Sequence, residues 1–365
     1  QTLDGRGIYV SGGCVVAATN CLFEGNFCDS DADTPGAGAG AYITSCAKAL
    51  FSNCRFVGNG IRYSQPNSVK TSYNRQSAAL YASATPLFCH NVRFAANRAN
   101  YGGVVALVGN CDGSLLENCA FVGNFIIMHW ANGVNSYSAP LCVNMDNAAR
   151  QATLRNCTFA YNLNSNYSAP AGILVNKGKV VVEDSLFWGN RRSSSVQPVT
   201  YLVPEDISVA ADGYLALTNV FLASTYMGTD RRHCLQVADA SHLTTNNIVT
   251  GDAMLVSTTN EVTALMTTGN SSFPDLYYPA SAAAALAALN VHLRGGSGYY
   301  DENTGALVRD YRQSAVGGNS SALDASPRKP ILEPDPNGKR VNLGCYGNTP
   351  WATMSASSGL FIIVR

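Results

Sequence analysis

The chain has 365 residues, of which 46% are hydrophobic and 13% are charged, and its 24 basic residues balance its 24 acidic residues. This length and apolar content suffice for a continuous core, and no apolar run is long enough to span a membrane. The even charge balance argues against nucleic-acid binding, which requires a basic stripe. It also argues against a site built for a highly acidic polymer. The surface must therefore be covered largely by Asn, Ser, Thr, Gly and Tyr.

A seven-residue phrase recurs along the first 220 residues of the chain. Its fullest form reads Asn-Cys-x-Phe-x-Gly-Asn, as in the copy that starts at Asn20. Seven copies keep the Phe and six keep the closing Asn, while the seventh is a degenerate copy at Thr218-Asn219-Val220-Phe221. The six complete copies contribute Phe23, Phe56, Phe94, Phe121, Phe159 and Phe187, and Asn26, Asn59, Asn97, Asn124, Asn162 and Asn190. A phrase that recurs at a period of tens of residues predicts a solenoid, in which each repeat buries its apolar face against its neighbours.

The phrase predicts parallel strands wound into a coil, because successive Phe residues are 27 to 38 positions apart. Paired helices of a fixed-length repeat cannot change length by about ten residues and keep their packing. We expect the Phe side chains to stack inward at about 4.8 Å, the spacing of paired strands. The Cys two positions earlier points the same way. The closing Asn is expected at a corner in the left-handed conformation, bonded to its own backbone or to the Asn one turn away.

The Asn-Cys-x-Phe-x-x-Asn ladder resembles the right-handed parallel β-helix repeats of secreted bacterial proteins, a superfamily that includes pectate lyases and many surface adhesins. A second resemblance covers about residues 290–356, where residues 290–294 and 321–325 lead to residues 340–349. This order is similar to the closing segment of many bacterial β-helix proteins, with Cys345 in place of their usual Ala. The two resemblances imply an all-β fold, a right-handed parallel β-helix with a small C-terminal closing module, on an extracellular or cell-surface bacterial protein.

The sequence divides into three parts. Residues 1–225 form the β-helix with its loop insertions, residues 226–289 hold degenerate repeats and a short Ala-rich helix at 281–289, and residues 290–365 form the closing module. The chain starts almost at once in a repeat, so we expect a processed form or a fragment whose uncapped end offers open strand edges. The apolar run at 359–364 is expected to be a closing strand, with a strand lent to a neighbour as the alternative.

Twelve cysteines are many for a cytosolic protein of this size. They indicate two columns along the coil, one of Cys21, Cys54, Cys119 and Cys157 and a second of Cys14, Cys46 and Cys111. We favour buried thiols that pack as small apolar side chains, with disulfides between adjacent turns as the alternative. Cys234 and Cys345 lie outside the columns and are the better candidates for one bridge. No spacing has the paired Cys-x-x-Cys form of a zinc site.

The candidate binding residues lie in or beside the longest insertions, which span residues 29–40, 60–77, 125–140 and 162–170. Solenoid insertions collect on one face, and that face is often the binding face. The residues that stand out there are Tyr63, Tyr73, Tyr101, Tyr137, Tyr167 and Trp130. Aromatic rings beside Asn and Ser suit the faces of sugars, and they equally suit protein interfaces. The alternative is that these rings only seal the loops against the coil.

One insertion carries a candidate metal site. Asp29, Asp31 and Asp33 alternate within it, and hard cations favour such clusters of carboxylate oxygens. The loop lacks the Gly at position six and the Glu at position twelve of an EF-hand loop. We therefore favour a solvated acidic loop and no cofactor, with a Ca²⁺ site as the alternative.

Catalytic residues are not assigned from the sequence. The Asn-x-Asp, Asp-Asp and Gly-His-Gly series of polygalacturonases is missing, and so is the Trp-x-Asp-His and Arg-x-Pro-x-x-Arg pattern of pectate lyases. If the protein is an enzyme, Arg62, Lys70, Arg75 and the Asp29 loop are the best candidates for its site.

We favour a non-enzymatic surface, matrix or adhesin-type protein, whose rigid coil presents Tyr-rich loops and whose uncapped ends let copies stack. The expected partners are other copies of the chain, another surface protein or a polysaccharide, and neither nucleic acid nor a membrane span is expected. The alternative is a polysaccharide lyase or glycoside hydrolase of the pectate-lyase-like superfamily. Converging charged side chains in a groove beside the coil would favour the enzyme, and a flat Tyr and Asn face would favour binding or assembly.

Overall fold

A computed structural model describes residues 7–29, 38–62, 77–99, 102–126, 138–164, 169–193, 202–223, 234–257, 280–295, 297–308, 320–335 and 340–354. These residues form a coil of short parallel strands, joined into one sheet of twenty strands and a second of seven. The predicted fold class, an all-β parallel β-helix, is confirmed. Each turn of the coil, here called a rung, contains up to four strands, and equivalent strands of successive rungs pair in four columns.

Columns 1 and 2 form the first two sides of the rungs. Column 1 contains Ile8–Ser11 (β1), Ala41–Thr44 (β5), Leu80–Ser83 (β9), Val105–Gly109 (β13), Leu141–Met145 (β17) and Leu235–Val237 (β26). Column 2 contains Val15–Thr19 (β2), Lys48–Ser52 (β6), Leu87–His90 (β10), Ser114–Glu117 (β14), Gln151–Arg155 (β18) and Leu243–Val249 (β27). In rungs 6 and 7 the long strands Ile173–Glu183 (β21) and Ile207–Phe221 (β25) run through both columns.

Columns 3 and 4 complete the rungs. Column 3 contains Leu22–Glu24 (β3), Arg55–Val57 (β7), Arg93–Ala95 (β11), Ala120–Val122 (β15), Thr158–Ala160 (β19) and Leu186–Trp188 (β22). Column 4 contains Phe27–Asp29 (β4), Gly60–Arg62 (β8), Arg98–Ala99 (β12), Phe125–Ile126 (β16), Leu163–Asn164 (β20) and Arg191–Ser193 (β23). Leu202–Pro204 (β24) ends column 4 as an antiparallel strand.

A stack of phenylalanine rings runs through the core. In column 3 the strands pair in register, so that Phe94 lies between Phe56 and Phe121. From Phe23 to Phe187 the ring centroids of successive rungs are 4.4 to 5.2 Å apart, close to the strand spacing. Every ring after the first is fully buried. The inward position of the repeated Phe therefore sets the axis of the core.

The degenerate seventh copy does not extend this stack. Phe221 pairs with Leu186, not with Phe187, because one residue instead of two separates it from the preceding Asn219. A shift by one position turns a strand residue to the opposite face of the sheet. Phe221 therefore packs outside the coil, and Leu222 takes the inward place in the main core.

The backbone conformation at the corners contradicts one prediction about the asparagines. The left-handed residue of each phrase is its first Asn, with φ between 48° and 56° in Asn20, Asn53, Asn91, Asn118, Asn156, Asp184 and Asn219. At the next corner the left-handed residue is the one before the closing Asn, for example Gly25 or Gly123. The closing Asn itself was expected to be left-handed, and this expectation is wrong. Its side chain instead points inward, where the amides of successive rungs bond to one another.

The C-terminal residues fold back along the outer face of column 3. The helix Ala280–Ala287 (α1) places Ala287 against Val57 and Ala95. Further along, Leu289, Val291, Leu293 and Leu343 form a second apolar core with Leu186 and Phe221. The short strands Tyr299–Tyr300 (β28) and Leu307–Val308 (β29) form an antiparallel pair, and a 3-10 turn at Ala240–His242 lies between β26 and β27. The closing module thus covers several rungs at once.

Gly344 shows how closely this module approaches the coil. Its φ is 98°, and a Cβ atom at this position would lie 2.6 Å from Thr158 Oγ1. Only glycine combines this backbone conformation with so short an approach. The next residue, Cys345, donates its backbone N–H to the same Oγ1 at 2.9 Å.

The cysteines whose side chains are described, eleven of the twelve, form no disulfide. The predicted bridge between Cys234 and Cys345 is therefore wrong. Cys345 is buried in the closing module over column 3, whereas Cys234 is buried where the chain enters column 1 at β26. The two residues belong to different sides of the coil.

Candidate functional site

The four long insertions attach to the coil at the same corner. Each leaves the column 4 strand of one rung and returns to the column 1 strand of the next, as between β4 and β5. The candidate residues Tyr63, Tyr73, Tyr101, Tyr137, Tyr167 and Trp130 lie outside the described residues, and so do Asp31, Asp33, Lys70 and Arg75. Asp29 and Arg62 end β4 and β8 and are paired neighbours on adjacent rungs. The corner thus brings together the points from which the insertions leave.

A tyrosine stack, which the sequence reasoning missed, lies next to this corner. Tyr9, Tyr42 and Tyr81 stack on the outer face of column 1 with ring centroids 5.1 Å apart. Tyr9 is 48% exposed and Tyr81 only 6%, and burial raises the pKa of Tyr81 to about 12. The signal was present in the sequence, because each Tyr is the second residue of its strand. The predicted aromatic binding residues all lay in or beside the insertions, so the prediction did not include these strand positions.

A row of charged side chains runs along the outer face of column 2. Glu117 lies 3.4 Å from His90 Nδ1 and 3.5 Å from Arg155 Nη1. Arg155 Nε donates to Glu183 Oε2 at 2.9 Å. This hydrogen bond, followed by the charges of both glutamates, raises the pKa of Arg155 against the opposing effect of burial. Glu117, Arg155 and Glu183 alternate in sign from rung to rung, so Arg155 is paired with an acidic side chain on each side.

The row ends in an open cleft between column 2 and the closing module. Its empty volume is about 670 Å³, and its lining consists of Arg155, Glu183, Asp184, Thr218, Asn219 and Arg328. Asp184 is the one acidic residue among the left-handed corner residues of the phrases, and its side chain is 1% exposed. It accepts a hydrogen bond from Asn219 Nδ2 at 3.0 Å and forms an ion pair with Arg328. The cleft therefore offers several hydrogen-bonding groups and paired charges.

The closing module is held by a cluster of stacked rings around His292. The imidazole lies between the rings of Tyr299 and Tyr346, at centroid distances of 4.0 and 3.6 Å. Its Nε2 is 3.2 Å from Glu302 Oε2, and the Tyr346 hydroxyl donates to Glu302 Oε1 at 2.8 Å. Burial lowers the pKa of His292. Burial opposes ionisation of Glu302 as well, but its hydrogen bonds outweigh this effect and hold its pKa at about 2.

A second buried ionic cluster closes the inner asparagine ladder at rung 6. Arg192 and Glu205 form an ion pair in which both side chains are at most 2% exposed. Next to them, Asn190 Nδ2 donates to Asp206 Oδ1, and burial raises the pKa of Asp206 to about 7. The Arg192–Glu205 pair is buried beside column 4, whereas Glu302 of the His292 cluster is 34% exposed. Both clusters hold segments of the fold together.

Among the described residues, no group of three or more His, Cys, Asp or Glu side chains is placed to hold a metal ion. The Ca²⁺ alternative at Asp29, Asp31 and Asp33 stays a prediction, because two of the three residues lie outside the described ranges. Within those same ranges, a helix with the length and apolar content needed to cross a membrane does not occur.

These features define a class of protein, a β-helical solenoid with insertions along one corner and a polar cleft under its closing module. Comparison of the chain with protein-family models, with curated proteins and with solved structures finds no match. The class therefore rests on the fold and on the geometry of the site.

Proposed function

We propose that the chain is a non-enzymatic surface or matrix protein of the adhesin type, which binds a glycan or a partner protein through its Tyr-rich insertions. The observation that carries this proposal is the attachment of all four long insertions at one corner of the coil. Successive rungs hold these attachment points at the spacing of paired strands, about 4.8 Å per rung. A rigid core therefore arranges variable loops into one continuous edge.

The tyrosine stack beside this corner supports the proposal. The exposed ring of Tyr9 continues into the rings of Tyr42 and Tyr81, so the edge has an aromatic flank. Tyrosine supplies a large apolar face with a polar tip, which suits both sugars and protein surfaces. An extracellular bacterial location and a place in the pectate-lyase-like superfamily belong to the same proposal, since both follow from the resemblance of the repeat.

Stacking of like copies through the ends of the coil is part of the proposal as well. In rung 1 the side chains of Tyr9, Val15 and Leu22 are 48, 55 and 56% exposed. Among the described residues, β1, β2 and β3 pair on one edge only. Light scattering with negative-stain electron microscopy tests this part, and a concentration-independent monomer would contradict it.

The binding test compares the native chain with the double variant Tyr137→Ala/Tyr167→Ala. We expect the double variant to lose at least about tenfold in affinity for the bound glycan or protein, since each aromatic contact contributes about 1 kcal/mol or more. A panel of immobilised polysaccharides read by biolayer interferometry provides the measurement. Lys48→Ser, on the face of column 2, is the matched control. Equal binding by the double variant and the native chain would remove the insertions from the proposal.

The cleft supports a second candidate, a polysaccharide lyase or glycoside hydrolase. Arg155, Glu183, Asp184 and Arg328 converge there in a groove beside the coil, as an active site would require. Glycosidases use two carboxylates, and this cleft contains two. The test is product release from the same polysaccharide panel, followed as new reducing ends and as unsaturated products. Turnover that disappears in Glu183→Gln and persists in Tyr137→Ala/Tyr167→Ala would establish the enzyme in place of the binding protein.

A further inference from the structure

We propose that Cys14 and Cys46 are a redox-sensitive pair, which oxidises by exchange with a small disulfide and pins the first rung of the coil to the second. The inference is independent of what the insertions bind. It concerns the first rung of the coil, where Val16, at 9% exposure, is the one buried hydrophobic side chain among the described residues of that rung. Its strands β1, β2 and β3 pair with rung 2 on one edge, and its other inward side chains are only partly buried against the core.

The two thiols meet at the corner between columns 1 and 2. Their Sγ atoms are 3.3 Å apart, which is within contact distance for two thiols. Adjacent parallel strands are about 4.8 Å apart, inside the range of roughly 4.4–6.8 Å that the Cα atoms of disulfides span. The backbone on both sides is fixed, since Gly13 N–H donates to Ser45 O and Ala47 N–H to Cys14 O. The pair can therefore bond without rearranging the corner.

Along the corner between columns 1 and 2, this pair is separated from the next thiol. In rung 3 the same corner holds Thr85, whose Oγ1 accepts the backbone N–H of Cys46 at 3.0 Å. Cys111 comes only in rung 4, where its Sγ donates to Ala82 O. Cys46 thus has one thiol neighbour in its column, so oxidation at this corner has a single product.

Access distinguishes this pair from the buried pair further along the coil. Cys14 is partly exposed and Cys46 is 5% exposed, whereas Cys119 and Cys157 are fully buried. A dissolved disulfide can reach Cys14 but cannot reach the Cys119/Cys157 pair without unfolding. The buried pair is therefore a built-in control.

The exchange balances in two steps. The Cys14 thiolate attacks one sulfur of a small disulfide R–S–S–R, and R–S⁻ leaves and takes up a proton. The Cys46 thiolate then attacks the Cys14 sulfur of the mixed disulfide and releases the second R–S⁻. Two protein thiols give up two protons and two electrons, and the small disulfide is reduced to two thiols. Burial and the neighbouring Cys14 raise the pKa of Cys46, so we expect the second step to accelerate as the pH rises.

The test treats the folded chain with oxidised glutathione at pH 8, blocks remaining thiols by alkylation, and maps disulfides by mass spectrometry after chymotryptic cleavage. We expect a linked pair of peptides that contain Cys14 and Cys46. Fragmentation assigns the bond, because the first peptide also contains Cys21. The link should be lost in Cys46→Ala and retained in Cys157→Ala. A chain that keeps Cys14 and Cys46 unlinked, or that links Cys119 to Cys157 as fast, would overturn the proposal.

Hydrogen exchange then tests the pinning. In the oxidised chain we expect the amides of Gly13 and Ala47 to exchange several-fold more slowly than in the reduced chain. The amide of Thr158, in rung 5, should be unchanged. If Gly13 and Ala47 exchange at the same rate in both forms, the bond does not hold the rung and the proposal fails.

Discussion

Asn190 donates a hydrogen bond from Nδ2 to Oδ1 of Asp206 at 2.8 Å, so the inner amide ladder ends on a buried carboxylate. Along the ladder each closing Asn donates from Nδ2 to Oδ1 of the Asn in the next rung, at 2.8 to 3.1 Å. All of these hydrogen bonds point in the same direction. The last donor, Asn190 Nδ2, therefore bonds to Asp206, whose side chain has no amide N–H to continue the ladder.

This end of the ladder predicts a pH-dependent stability. Burial raises the pKa of Asp206 from 3.8 to about 7, so the folded chain keeps a proton that the unfolded chain releases above about pH 4. Stability should therefore fall between about pH 4 and pH 7 and level off above, by about 4 kcal/mol for a shift of this size. Asp206→Asn carries no such proton, and its free energy of unfolding in urea should depend less on pH.

Glu333 titrates in the same pH range, so its contribution to the pH dependence has to be distinguished from that of Asp206. Burial raises the pKa of Glu333 to about 7 as well, although its Oε1 accepts the backbone N–H groups of Asn342 and Asn348. Glu333→Gln should remove its own part of the slope, and the double variant should be the flattest of the four proteins. An Asp206→Asn chain with the native pH slope would refute the prediction.

Removal of one inner amide should cost more at the middle of the ladder than at its end. Asn124→Ala removes the acceptor of the Asn97 backbone N–H and one of the two acceptors of Asn97 Nδ2, and it deprives Phe94 O of a donor, all within the buried interior. At 1–3 kcal/mol for each unsatisfied group, we expect a loss of about 3 kcal/mol in the free energy of unfolding. Asn26→Ala, at the partly exposed first rung, is the matched control and should lose about 1 kcal/mol or less. Equal losses would mean that the ladder does not act through its buried groups.

The phenylalanine stack makes a graded prediction. Phe121 is fully buried between Phe94 and Phe159, so Phe121→Ala should cost about 3–5 kcal/mol. Phe121→Leu should cost much less, since Leu222 already fills the corresponding inward position of rung 7. Thermal and urea unfolding give both values. Leu22→Ala, at a 56% exposed position of the same column, should change stability by less than about 0.5 kcal/mol.

The pair of Asp184 and Arg328 predicts a non-additive double mutant. Arg328→Ala leaves a carboxylate that is 1% exposed without its counter-ion, and we expect a loss of about 2 kcal/mol, moderated because Arg328 itself is 42% exposed. Asp184→Asn restores the residue found at this corner in the neighbouring copies and should cost less. The double variant should therefore be more stable than Arg328→Ala alone. Additive losses in this double-mutant cycle would show that Asp184 and Arg328 do not stabilise each other across the contact between the coil and the closing module.

The core was predictable because it repeats. Phe23 to Phe187 recur at one position of one phrase, and inward stacking at the strand spacing follows from that position alone. Phe221 was not part of the predicted stack of six, and its position on the outer face was not predicted either, because the shared Phe hid a missing residue between it and Asn219. Counting from Asn219 would have shown the shift of one position and hence the change of face.

The cleft was not predictable, because its two sides are far apart in the chain. Arg328 comes from the closing module, and Asp184 is a single Asn-to-Asp change within the phrase. The sequence shows that change but does not indicate which basic residue forms an ion pair with Asp184. The Tyr stack is the opposite case, since its second-position tyrosines could be read from the strands. The candidate residues Tyr63, Tyr73, Tyr101, Tyr137, Tyr167 and Trp130 stay a prediction.

The closing module imposes a length limit on an otherwise extensible coil. The helix α1, which precedes the module, rests on rungs 2 and 3 through Ala287 against Val57 and Ala95. Residues of the module bond to Thr158 in rung 5 and to Asp184 in rung 6. A duplicated repeat inserted beneath it would move these anchors apart by one strand spacing, so evolution could not lengthen this span without rebuilding the module. The C-terminal segment thus fixes the number of rungs between its contacts, and new repeats can be accommodated only outside rungs 2 to 6.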